Sequence, residues 1–108
     1  MQVFKFGGAS VKDANAVMNV ATIVRSYTKE QLLIVISAMG KTTNSLERLT
    51  EAYFNRQDTH SIFEEIKTFH FNILKELFPA PTHTVYDTVN NIFVEIDWIL
   101  EDEPVESY

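Results

Sequence analysis

The sequence predicts an α/β fold: one parallel β-α-β unit followed by three helices. Three observations carry this. Gln2–Phe6 is a short apolar stretch holding one lysine, and Leu32–Ile36 is an uninterrupted apolar run of strand length. Between them Val17, Val20, Ala21 and Val24 recur at helical spacing. After Ser37 the apolar positions repeat only at helical intervals, and no third strand pattern arrives.

Taken in order, Gln2–Phe6 is the first strand, and a helix runs from Asp13 to about Tyr27. Ser10, three residues before Asp13, is the expected cap of its first turn. Leu32–Ile36 is the second strand. An unbroken apolar run suits a parallel strand covered on both faces. Leu46, Leu49 and Tyr53 mark a short helix, with Asn44 and Glu47 as a capping box. Ile62, Phe63, Ile66, Phe69, Ile73, Leu74 and Leu77 mark a longer one, which Pro79 and Pro81 terminate. Val85, Val89, Ile92, Phe93, Ile96, Ile99 and Leu100 mark a third, closed by Glu101-Asp102-Glu103 and Pro104.

Two parallel strands leave bare sheet edges, whereas parallel sheets normally sit inside larger covered ones. The expectation is that residues 1–108 are the N-terminal portion of a larger α/β domain. The alternative is a sheet completed by oligomerisation.

At 108 residues and 45% hydrophobic content the chain can bury a core as one domain or part of one. A net charge of −6 and a pI near 4.9 argue against nucleic acid, which needs a basic face. Zero cysteines exclude disulfides and thiolate chemistry and fit a reducing cytoplasm. No apolar run reaches the ~20 residues of a bilayer span, and Met1 leads straight into a strand without a basic leader. A soluble cytoplasmic protein is expected.

In a right-handed β-α-β crossover both strands point the same way, so their C-terminal loops lie side by side at the edge where open α/β sheets take ligands. Those loops are Gly7-Gly8-Ala9-Ser10 and Ser37–Asn44. Both hold small and hydroxyl residues, and both lead into helix N-termini, which favour anions. Lys5 adds a cation, and two of the three glycines stand together at Gly7-Gly8. Each feature alone is an ordinary turn or edge residue; together they point to phosphate.

Other motifs fail. Gly40-Lys41-Thr42 ends like a P-loop, but Val35 stands where that motif needs glycine, inside a strand. No G-x-G-x-x-G occurs. His60, His70 and His83 lack metal-ligand spacing and read as surface or helix-flank residues. Phe63, Phe69, Phe93 and Trp98 fall on helical stripes or their flanks and read as core or interface.

With both loops in view the chain resembles an aspartokinase, of the amino-acid kinase superfamily. Val3-Phe4-Lys5-Phe6-Gly7-Gly8-Ala9-Ser10-Val11 is similar to that family's V-x-K-F-G-G-T-S-V opening. Val35–Asn44 is similar to its second signature around S-A-M-G-x-T-T-N. Ala9 departs from the family's threonine, removing a hydroxyl but keeping the small size. The resemblance implies an amino-acid-kinase-like three-layer fold and transfer of the ATP γ-phosphoryl group to the side-chain carboxylate of L-aspartate. The product, 4-phospho-L-aspartate, opens lysine, threonine and methionine synthesis.

By resemblance, Lys5 is catalytic; Lys5, Phe6, Gly7 and Gly8 bind ATP; Ser37 and Thr43 bind substrate. Mg²⁺ would come bound to the nucleotide, with no ligand from this chain. A homo-oligomer is expected. The resemblance also implies a downstream acidic residue for the substrate amine and a second glycine-rich nucleotide segment, which this sequence lacks. The expected piece is therefore inactive alone. The alternatives are a non-catalytic helical interaction module, or a sibling kinase acting on another acidic metabolite.

Overall fold

A computed structural model describes residues 1–27, 29 and 31–103. Its elements are β1 (Gln2–Phe6), a single 3-10 turn (Gly8–Val11), α1 (Ala14–Arg25), β2 (Leu32–Ile36), α2 (Thr42–Phe54), α3 (His60–Leu77) and α4 (Val85–Glu101). The predicted order of strand, helix, strand and three helices is the one observed. The chain divides into two compact units, Met1–Thr43 and Asn44–Tyr108.

In the first unit β1 and β2 pair in parallel from Gln2↔Leu32 to Phe6↔Ile36. The ladder is prolonged at both ends, where the Gln2 amide donates to Gln31 O and the Ser37 amide to Phe6 O, each at 2.9 Å. Side chains alternate across a strand, so Phe4 and Phe6 share one face. There they pack with Val11, Val17, Val20, Val24 and Met39. The rings of Phe4 and Tyr27 meet edge to face at 4.8 Å.

Val3, Lys5, Leu33 and Val35 take the other face, and all four are exposed. Ile34 and Ile36 are exposed as well. The unbroken apolar run of β2 predicted cover on both faces. Within this chain it has little on either, because α1 lies against β1.

Asp13, not Ser10, caps α1: its Oδ1 accepts from the Ala16 amide at 2.8 Å. Ser10 lies inside the 3-10 turn, its amide bonded to Gly7 O. The helix ends at Arg25, two residues short of Tyr27, where the Ser26 amide closes on Ile23 and Val24 carbonyls. Because α2 starts at Thr42, Asn44 falls within its first turn and the expected capping box is displaced.

The second unit centres on Leu49, Phe63, Ile66 and Phe93, flanked by Ile62, Phe71, Val89, Ile96 and Leu100. Phe93 is the hub of the aromatic contacts, with Phe63 at 5.9 Å, His70 at 5.7 Å and Phe71 at 6.0 Å. Trp98 is different: it is 63% exposed on α4 with Ile92 and Ile99, so it belongs to the surface.

Asp58 secures the start of α3. Its carboxylate accepts from the Ser61 hydroxyl at 2.7 Å and the His60 amide at 3.0 Å. These bonds, the hydroxyl first, hold its carboxyl below the ordinary carboxylate value. Before α4, His83 Nδ1 accepts the Val85 amide at 3.0 Å, which gives that flanking histidine a capping task. The helix stops at Glu101 as predicted; Pro104 lies outside the described residues. Among the described residues no helix is long and apolar enough to cross a membrane.

Candidate functional site

The loops after β1 and β2 meet at the C-terminal edge of the sheet, as the crossover predicts. The Gly40 amide donates to Gly8 O at 3.2 Å. A Cβ on Gly8 would stand 2.7 Å from Gly40 O, closer than real Cβ atoms approach backbone, and a tight 3.3 Å from Ala38 O. Gly8 is therefore a condition of the two loops touching. Gly40 has a separate reason to be glycine, since its φ of 56° lies in the left-handed region. Gly7 has neither reason: a Cβ there meets nothing within 4 Å. No described neighbour requires that bareness.

The remaining predicted residues distribute around this clasp. Lys5 is exposed on the sheet face away from α1, opposite Val35 in the register. Phe6 is 8% exposed with its ring in the core, and its carbonyl is taken by the Ser37 amide. Its contribution to a site is thus through the backbone. Ser37 directly follows β2 and is exposed; Thr43 is exposed in the first turn of α2. Ala9 is exposed in the 3-10 turn. Because the first amide spent inside that turn is Ser10's, on Gly7 O, those of Gly8 and Ala9 precede the bond.

Sequence reasoning overlooked two features. The first is Thr42, the one buried polar residue among those described, at 8% exposure. Its amide donates to Met39 O at 3.1 Å and its hydroxyl donates to the same carbonyl. Met39 in turn packs its side chain into the core of the first unit. An unpaired buried hydroxyl would cost about 1–3 kcal/mol, so the pairing keeps Thr42 compatible with burial. The doublet Thr42-Thr43 ahead of a helix was the available signal.

The second is the distribution of charge. Met1–Thr43 carries five basic residues against two acidic ones, and the rest of the chain carries four against thirteen. The unit that holds the loops is basic even though the chain is acidic. Among the described residues both ion pairs, Arg48–Glu65 at 3.6 Å and Arg56–Glu103 at 2.8 Å, belong to the second unit. Lys5, Lys12 and Lys41 are engaged in neither.

No three His, Asp or Glu side chains among the described residues gather to hold a metal. Asp13, the carboxylate closest in sequence to the first loop, is spent on capping α1. Two surface clefts, of about 240 and 130 Å³, lie in the second unit. The first is lined partly by Tyr53 and the Arg56–Glu103 pair, the second by Phe63, Lys67 and Asp97. Neither includes a residue of the two loops.

Comparison with known proteins bears on the same stretch. The model of the Amino acid kinase family matches residues 1–93. Aspartokinase 1, chloroplastic, of Arabidopsis thaliana is 37% identical over 84 residues, covering 74% of this chain and 15% of the relative. Aspartokinase 2, chloroplastic, of the same plant is 49% identical over 49 residues, 45% of this chain and 9% of the relative. The bifunctional aspartokinase/homoserine dehydrogenase 2 of Escherichia coli K12 is 31% identical over 80 residues, 73% of this chain and 10% of the relative. The chain thus spans a small part of the length of these relatives. With a family match over most of its residues, including both loops and β1, the chain belongs to the amino acid kinase family.

Proposed function

We propose that residues 1–108 form the N-terminal portion of the catalytic domain of an aspartate kinase. The reaction is attack of a β-carboxylate oxygen of L-aspartate on the γ-phosphorus of ATP. One P–O bond forms, the bond to the bridging oxygen of the β-phosphate breaks, and ADP leaves with the electron pair. The observation that supports this best is the Gly8–Gly40 clasp, which joins the two signature loops in one basic unit.

Phosphoryl transfer asks a protein for position and positive charge more than for covalent chemistry. Lys5 would offset charge on the transferring phosphoryl oxygens. The Gly7–Gly8 backbone would approach the phosphates, with Phe6 contributing main chain only. Ser37 and Thr43 would hold aspartate. Mg²⁺ would be carried by the nucleotide, a reading that fits the lack of a gathered carboxylate set among the described residues; when bound it would neutralise phosphate charge. The proposed compartment is the cytoplasm, which the cysteine-free composition fits.

The test is ATP-dependent formation of aspartyl phosphate, trapped as the hydroxamate, by the complete protein that carries this chain. Glutamate and acetylglutamate serve as competing acceptors. Aspartate should be strongly preferred, Lys5→Ala should lower kcat by about 10²-fold, and the 108-residue chain alone should be inactive. Preference for another acceptor would move the chain to a sibling kinase.

A second reading, a helical association module, draws on one observation. Ile92, Trp98 and Ile99 expose 53%, 63% and 61% of their surface along α4. Sedimentation of Trp98→Ser against wild type tests it. Equal sedimentation of the two would remove α4 as an association surface, and with it the support for a homo-oligomer from this helix.

A further inference from the structure

We propose that Thr42 is a positioning residue for the second loop, acting on substrate through the Met39 carbonyl. Its amide and its hydroxyl both donate to that one oxygen. Met39 is fixed from its other end as well, since its side chain packs with Phe6, Val11 and Val20. The carbonyl is thus held between the core of the unit and the first turn of α2.

Gly40 lies between these two anchors, with its φ of 56° and its amide on Gly8 O. A turn held at Met39 and at Thr42 leaves the intervening backbone little freedom to swing. Where Gly40 goes, the clasp to the first loop follows. Thr43, the next residue along α2, takes its place from the same turn.

The hydroxyl is not serving as an ordinary helix cap. A capping side chain accepts from amides further along the helix, whereas Thr42 Oγ1 donates backward to a carbonyl in the loop. Its task lies on the loop side of the helix end. Burial adds to this, because at 8% exposure little water can replace the Met39 carbonyl as partner.

The proposal rests on the aspartate kinase reading for its kinetic consequence, and on geometry alone for its structural one. The experiment compares Thr42→Ser with Thr42→Ala in the complete protein. Both lose the methyl group, and only the second loses the hydroxyl. Hydrogen exchange at the Gly40 amide is the first readout. Thr42→Ala should speed it about tenfold relative to Thr42→Ser, the scale of one lost hydrogen bond. Exchange at the Ser37 amide, held by β1, should stay within twofold. The second readout is steady-state kinetics. Thr42→Ala should raise the aspartate KM about tenfold over Thr42→Ser and leave the ATP KM within twofold.

Equal Gly40 exchange in the two variants overturns the proposal. So does a Thr42→Ala protein that fails to fold, or one that melts lower with unchanged KM, since either makes the hydroxyl merely structural. If the wild-type protein makes no aspartyl phosphate, the functional reading falls, and Gly40 exchange still decides the role of Thr42.

Discussion

The Gly8 carbonyl accepts the Gly40 amide at 3.2 Å, and the position of a Gly8 Cβ is only 2.7 Å from Gly40 O. One contact therefore requires the other residue's backbone and excludes a side chain at the same point. It makes Gly7 and Gly8, adjacent in sequence, serve different ends.

Gly8→Ala should destabilise the first unit by about 1–3 kcal/mol, as overpacking against rigid backbone does. Gly7→Ala, with nothing within 4 Å of its added carbon, should change stability by less than about 0.5 kcal/mol. In the complete protein the second variant should still weaken ATP binding roughly tenfold, the scale of one lost charge-assisted contact. Thermal unfolding and nucleotide titration of the two variants check this. Equal destabilisation of both would remove the distinction.

Phe93 touches Phe63, His70 and Phe71 and is 6% exposed. Phe93→Ala should cost about 3–5 kcal/mol. The loss should appear in chemical denaturation as unfolding of the helical unit. Trp98→Ala on the same helix, at 63% exposure, should cost less than about 1 kcal/mol.

Asp58 gives the helical unit a pH dependence at the acid end. Its folded-state carboxyl titrates below the ordinary value because Ser61 and then His60 bond the ionised form. The stability it adds is fully present above the ordinary carboxylate pKa and is lost as pH falls through the lowered folded-state value. Asp58→Asn should lower the melting temperature at neutral pH, with the difference from wild type closing in strong acid. A difference independent of pH would assign the effect to geometry instead of charge.

Leu33 and Val35 are 49% and 47% exposed on the sheet face away from α1. The doubly substituted Leu33→Gln, Val35→Gln chain should show a larger monomer fraction in sedimentation velocity than wild type at equal concentration. An unchanged distribution would place any self-association elsewhere.

Much of this molecule was legible in the sequence because its signals are local. Strand bounds at Gln2–Phe6 and Leu32–Ile36 follow from short apolar runs set off by polar and glycine residues. The three later helices follow from spacing, and Pro79 and Pro81 mark the end of α3. Cap identity was less legible. Ser10 and Asp13 are both good capping residues, and the choice fell to Asp13 because the 3-10 turn consumes Ser10. Asn44 lost its expected place because Thr42 starts the helix earlier by bonding back to Met39.

By itself the sequence determined the order and bounds of most elements, the pairing of a lysine strand with a glycine-rich loop, and the similarity to aspartokinases. Those properties reside in residue type and spacing, which need no contact between distant segments. Only the tertiary structure decided that Gly8 is bare for the sake of Gly40, that Gly7 is bare toward open space, and that Thr42 is buried. Each depends on where backbone atoms more than thirty residues apart, or on opposite sides of a turn, come to lie. Periodicity cannot report such distances, because the register of two strands and the φ of one glycine set them.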